Sequence, residues 1–185
     1  MKKKNVLSVF KSTRGLVICA LLAAFSAVFG KFLSINIGDS IRFSFENMTV
    51  ILAGYVFGPV AGGMVGIIAD LLGCLIKGFS INPFITLGAM TVGVVAGLAP
   101  YLFRAFEDGT RAKKWFLAFE VFFTTFAAHI AGNMIVKSVA MAYSFGTPMK
   151  VLALRVPIYV ATGLIEGTVI YLLMRSKAVR GLFEE

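Results

Sequence analysis

The chain has 185 residues, of which 58% are hydrophobic and 15% charged, with a mean hydropathy of +0.88. Soluble domains carry about 45–50% apolar and about 25% charged residues, so the composition excludes an ordinary soluble enzyme, a disordered tail and a disulfide-stapled secreted module. The net charge of +9 does not point to nucleic acid, because the basic residues stand at the ends of apolar segments, the pattern of membrane topology.

At about 20 residues per spanning helix, the length accommodates six or seven spans with short loops and leaves no room for a separate soluble domain. Residues 1–185 therefore read as a single integral membrane domain. The predicted fold class is all-α: a polytopic membrane protein with six transmembrane helices in one bundle.

The first span runs over roughly 15–33, behind Lys2, Lys3, Lys4, Lys11 and Arg14. Ala24-Phe25-Ser26 imitates a signal-peptide cleavage site. Cleavage would set the span count against the charge pattern, so the segment reads as an uncleaved anchor. Ala20 and Ala24, and likewise Ala23 and Ala27, stand four residues apart. Small residues at that spacing let helices approach closely in lipid, either inside the bundle or against a partner helix; the spacing alone does not choose.

Spans two and three, roughly 45–57 and 60–76, are short and separated only by Gly58-Pro59, where the missing amide of proline favours a tight reversal. Gly54, Gly58, Gly62 and Gly66 recur every four residues, and Asp70 follows one turn after Gly66. Span four, roughly 83–103, carries Gly93 and Gly97. Span five, roughly 115–143, places His129, Asn133 and Lys137 on one helix face. Span six, roughly 151–174, does the same with Arg155, Tyr159, Thr162 and Glu166. The sequence shows neither an internal repeat nor a low-complexity tract.

Twelve of the 18 basic residues lie before span one, between spans four and five, or after span six. Six spans put these three regions on one side, and the positive-inside rule makes that side cytoplasmic. The expected localisation is the cell membrane, multi-pass, with both termini cytoplasmic. Cys19 and Cys74 sit in apolar stretches without a CxxC pairing and read as packing residues.

A charge near a helix centre costs about 2.5–3.5 kcal/mol on insertion scales, so it is expected to face a cavity or a partner. Arg42, Lys77, Lys137 and Arg155, set against Asp39 and Glu46 in the outer half, would attract a small anion from outside. Asp70 or Glu46 can accept paired hydrogen bonds from an amino-substituted heterocycle. Phe43, Phe45, Phe79, Phe84 and Tyr143 are available to stack on a flat ring. A plainer reading stands beside this one. Lys77 and Lys150 can snorkel to headgroups, Asp70 can pair with a base to hold the bundle, and His129 can be a hydrogen-bonded packing residue.

No GxxxxGK[ST] loop, HExxH or GxSxG motif is present, and one histidine without a cysteine cluster makes no zinc site. No metal and no cofactor is expected, and enzyme is the weak hypothesis.

The stretch Ile41-Arg42-Phe43-Ser44-Phe45-Glu46-Asn47, then Leu52-Ala53-Gly54, Phe57-Gly58-Pro59, Gly62-Gly63, Gly66 and Ala69-Asp70-Leu71-Leu72-Gly73-Cys74, forms a recognisable series. It continues through Ile81-Asn82-Pro83, Thr86-Leu87-Gly88-Ala89, Val136-Lys137-Ser138 and Leu154-Arg155-Val156-Pro157. Over roughly residues 15–175 it resembles the substrate-binding S component of an energy-coupling-factor (ECF) vitamin transporter, folate branch. That resemblance implies six membrane helices and one vitamin bound with high affinity in a cavity near the outer face. The implied partners are a transmembrane coupling protein and two cytoplasmic ATPases that energise uptake. It also implies docking of the coupling protein through Ala20, Ala24, Ala23 and Ala27, and a gate formed by residues 34–44. Where some folate-branch members carry an aromatic late in span five, this chain reads Lys137-Ser138-Val139-Ala140, which keeps another anionic vitamin as the alternative ligand.

Folate chemistry suits the residues above. The expected site has Asp70 or Glu46 reading the pterin, Phe43 and Phe84 flanking it, and Arg42, Lys137 or Arg155 taking the carboxylates. Asn82 and Asn133 add neutral hydrogen bonds. The competing classes are a stand-alone carrier, a membrane enzyme using Asp70, His129 and Glu166, and a structural partner without a ligand.

Overall fold

The computed structural model describes residues 8–37, 41–104 and 114–176. A short 3-10 turn, Ser8–Lys11, leads into α1 (Thr13–Phe32), whose 20 residues span about 30 Å, the thickness of a bilayer's apolar core. Two four-residue strands follow, β1 (Ser34–Ile37) and β2 (Ile41–Ser44), paired antiparallel with Ser34 opposite Ser44 and Ile37 opposite Ile41. This ribbon is the one departure from an all-helical reading among the described residues, and it occupies the segment expected as a gate loop.

Helix α2 (Glu46–Phe57) has 12 residues, about 18 Å, and does not cross a membrane by itself. It ends at Gly58, whose φ of 96° is the left-handed region glycine tolerates, and Pro59 then opens α3 (Pro59–Lys77) in its first turn. The expected reversal at Gly58-Pro59 is thus present. Next come α4 (Pro83–Arg104) and α5 (Lys114–Ala128), which runs on through a π-helical segment, His129–Lys137, into α6 (Ser138–Phe145). A five-residue helix α7 (Met149–Ala153) precedes α8 (Arg155–Arg175). Among the described residues, five helical stretches are long and apolar enough to cross a membrane, and the short α2 completes the six predicted elements.

The interior of the bundle mixes Ala23, Ala53, Ala61, Ala69, Ala96 and Ala128 with valines, Ile51, Leu52 and Ile170, while Leu21, Phe25, Met64, Leu98, Phe123 and Leu172 face outward. Lipid tails solvate large apolar side chains, so close helix approach rests on small ones. Helices α2, α3 and α4 meet at glycines: a Cβ on Gly54 or Gly62 would press on the Gly93 carbonyl, and one on Gly66 on the Ala89 carbonyl.

Candidate functional site

The end of the bundle away from α1's start and α8's finish opens into a cavity of about 820 Å³. Its wall combines β2 and α2 (Ser44, Glu46, Asn47, Val50), α3 (Gly66, Asp70, Gly73, Cys74, Lys77), the turn after it (Phe79, Ser80, Asn82), the π segment (Asn133, Lys137) and α8 (Arg155, Tyr159, Thr162). Three bases and two acids therefore share one otherwise largely apolar recess.

Glu46 opens α2 and stands between two ammonium groups, 3.7 Å from Lys77 Nζ and 4.0 Å from Lys137 Nζ. Its backbone carbonyl accepts from Ser26 Oγ at 2.6 Å, which ties α2 to α1 at the cavity edge. Both lysine side chains are mostly buried, so Lys77 is a cavity residue and does not snorkel. Lys150 is exposed. Asp70 meets a hydroxyl where a base was the plainer expectation: Thr86 Oγ1 donates to its Oδ2 at 2.7 Å. Asn82 Oδ1 accepts from the Phe84 amide at 3.0 Å, fixing the first turn of α4.

Both polar stripes point inward as their three- and four-residue spacing predicts. On α8, Arg155 Nη2 donates to Tyr159 Oη at 2.7 Å and Nη1 approaches Met141 Sδ at 2.9 Å. The guanidinium lies 5.4 Å from the Tyr159 ring centroid. On the π segment, Asn133 Nδ2 donates to His129 Nδ1 at 2.9 Å, and His129 Nε2 donates to Glu166 Oε2 at 2.8 Å. π-Helical turns occur frequently at functional sites, where they re-aim side chains. Here Ser138 Oγ donates to the Asn133 carbonyl, five residues back, at 3.2 Å.

Of the expected binding residues, Glu46, Asp70, Asn82, Asn133, Lys137 and Arg155 line the cavity. Phe43 and Phe84 do not. Phe43 packs edge-on against Phe45 with centroids 5.1 Å apart, and Phe84, 51% exposed, does so against Tyr143 on the outer surface at 6.0 Å. Each follows from its element's direction: Phe84 sits on an outward face of α4's first turn, whereas Phe79, Phe145 and Tyr159 supply the aromatic lining. The Arg42 side chain and Asp39 lie outside the described residues; only Arg42's pairing with Asn36 in the ribbon is described. Ser26, Asn47 and Ser80 also line the cavity and were not singled out; the available signal was a small polar residue inside or beside an apolar span.

The alanines of α1 separate into two faces. Ala23 is buried at 1% exposure and Ala27 lines the cavity, so these two are covered and do not form an outer docking surface. Ala20 and Ala24 are exposed.

A family model described as "ECF transporter, substrate-specific component" matches residues 14–177. The chain belongs to that family. This substrate-specific component is 34% identical over 101 residues to a folate transporter, FolT, of Clostridium novyi, a match covering 51% of this chain and 52% of that protein. The chain spans about half or less of the length of the curated relatives it matches. A crystal structure of FolT bound with folic acid superimposes with a TM-score of 0.63 at 22% identity, covering 86% of this chain and 93% of the other. The structure of ThiT from Listeria monocytogenes gives 0.66 at 20% identity, covering 91% and 96%. At such identities the likeness shows the fold: this substrate-specific component has the architecture of solved S components. The family is a transport subunit, and the apolar helices are those of a multi-pass membrane protein.

Proposed function

We propose that this chain is the folate-binding subunit of an ATP-driven ECF uptake system, with folate or a close derivative held in the cavity. The observation that carries this reading is the meeting of Lys137 and Arg155 with Glu46 and Asp70 in one recess. Folate has two chemically opposite ends, a flat donor–acceptor pterin and a glutamate tail with two negative charges, and the recess offers groups for each. Its size lies within the roughly 300–1,000 Å³ of small-molecule sites.

Lys137 and Arg155, helped by Arg42, take the carboxylates. Charge-assisted bonds run at about 2.7–2.9 Å, whereas Lys137 stands 4.0 Å from Glu46, so a ligand carboxylate offers it a closer partner. Asp70 or Glu46 pairs with the pterin amide and amino group, Asn82 and Asn133 add neutral bonds, and Phe79 and Tyr159 replace Phe43 and Phe84 as ring neighbours. The basic ends favour termini in the cytoplasm of the cell membrane, so the cavity opens outward and the β1–β2 ribbon gates it. A coupling protein with two ATPases docks on the exposed Ala20 and Ala24 and supplies the energy.

Mass spectrometry of small molecules released from detergent-purified protein, followed by calorimetric titration of the compound found, tests the assignment. Folate or a folate derivative binding tightly at one per chain is the expected result. A different vitamin overturns the ligand and keeps the architecture. No ligand, and no response to a vitamin panel, overturns the binding function.

A further inference from the structure

Behind the cavity wall, the π segment and α8 enclose a hydrogen-bonded chain that solvent does not reach. His129 and Glu166 are both 0% exposed. His129 Nε2 donates to Glu166 Oε2, and Nδ1 accepts from Asn133 Nδ2. A neutral imidazole has one donor and one acceptor nitrogen, so the two contacts together specify a single tautomer with its proton on Nε2. Glu166 Oε2 faces that N–H and accepts from it. The ring is held from the side by Tyr159, whose centroid lies 5.7 Å away at 32°.

The consequence falls on Asn133. Its side chain has one donor end and one acceptor end, and the donor end is committed to the imidazole. The carbonyl oxygen Oδ1 is therefore the end available to the cavity that Asn133 lines. An amide free to rotate serves ligand donors and acceptors alike. A locked amide does not: a ligand acceptor placed there would leave two lone-pair groups facing each other away from water.

We propose that His129 and Glu166 are positioning residues that lock Asn133 with Oδ1 toward the cavity, so that its floor is a fixed hydrogen-bond acceptor selecting ligands with a ring N–H or amino donor there. The proposal deepens the folate reading and rests on it. Glu166 acts on the ligand only through His129 and Asn133.

The full chain contains one histidine, so isotope-labelled histidine gives one imidazole to follow by nitrogen NMR in detergent. The expected spectrum is a neutral ring protonated on Nε2; a ring protonated on Nδ1, or on both nitrogens, overturns the proposal without any variant having to fold. Titration then compares folic acid with an analogue carrying methyl in place of the ring amino group. The preference of the wild-type protein for folic acid is expected to shrink by about fivefold in Glu166→Leu and in Asn133→Leu alike, the effect of one neutral hydrogen bond. The double variant should lose no more than Asn133→Leu alone, because the two act through one contact. Additive losses, or an unchanged preference in Glu166→Leu, overturn the positioning role and leave folate binding standing. A wild-type protein that binds no folic acid overturns the folate reading itself, and this proposal with it.

Discussion

Lys137 reaches the cavity along a path that glycine keeps open. A Cβ at Gly88 of α4 would collide with Lys137 Cγ and also meet the Gly132 carbonyl at 3.1 Å and the Lys137 amide nitrogen at 3.3 Å. Lys137→Ala is expected to weaken folate binding by roughly 10- to 100-fold, the range of a hydrogen bond to a charged group, with little change in melting temperature, since Glu46 keeps Lys77. Calorimetric titration beside a thermal melt separates the two effects. Gly88→Ala is expected to weaken binding and to lower stability by about 1–3 kcal/mol, because two of the three nearest atoms are backbone and cannot swing aside. An unaltered affinity in Gly88→Ala would mean that the Lys137 stem does not depend on this contact. At this scale the polar stripes were legible, because residues three or four apart share a helix face whatever the neighbours are. The pairing of His129 with Glu166 was not, since it depends on how α8 lies against the π segment, and spacing within one helix does not carry that information. The aromatic lining was legible in part: Phe79 stands at the cavity, whereas Phe84, five residues on and past a turn, packs edge-on against Tyr143.

At the scale of elements, six apolar segments were readable because the bilayer demands length and apolarity from each of them. The ribbon was missed, although Ser34-Ile35-Asn36-Ile37 and Ile41-Arg42-Phe43-Ser44 alternate polar and apolar residues, the period of a strand. Four residues are too few for alternation to stand out from a loop. The π segment was invisible to spacing as well, since apolar content and stripe persist through it. The glycine repeat was read for packing, and the structure gives it a definite partner. A Cβ at Gly93 would strike the Gly62 carbonyl and stand 2.9 Å from the Gly63 nitrogen, both backbone. Gly93→Ala is therefore expected to destabilise the α2–α3–α4 unit by about 1–3 kcal/mol, seen as a lower unfolding temperature in detergent. A melt within error of wild type would show that α3 and α4 can separate at this point without penalty.

The whole molecule has two kinds of surface that one sequence motif cannot tell apart, and the alanines of α1 make the difference measurable. All four stand at small-xxx-small spacing, yet Ala23 is buried inside the bundle while Ala24 is exposed on its outer face. Neighbouring Leu21, Phe25 and Val28 are also exposed, so Ala20 and Ala24 make a shallow strip between bulky side chains on a face that lipid or a partner helix must cover. Ala24→Leu fills that strip without touching the cavity. In the uptake reading, the protein alone binds its vitamin and moves none, and movement requires a coupling protein docked on this face with its ATPases. Vesicles holding Ala24→Leu together with the coupling module are therefore expected to bind folate as wild type does while ATP-driven accumulation falls by about tenfold or more, a loss of roughly 1.4 kcal/mol of docking energy being enough. Ala23→Leu should behave differently, losing stability and ligand binding together, because the added methylenes enter a packed interior. If vesicles containing this chain alone accumulate folate, the chain is a carrier in its own right. If Ala24→Leu supports uptake at the wild-type rate, the coupling protein sits on another face.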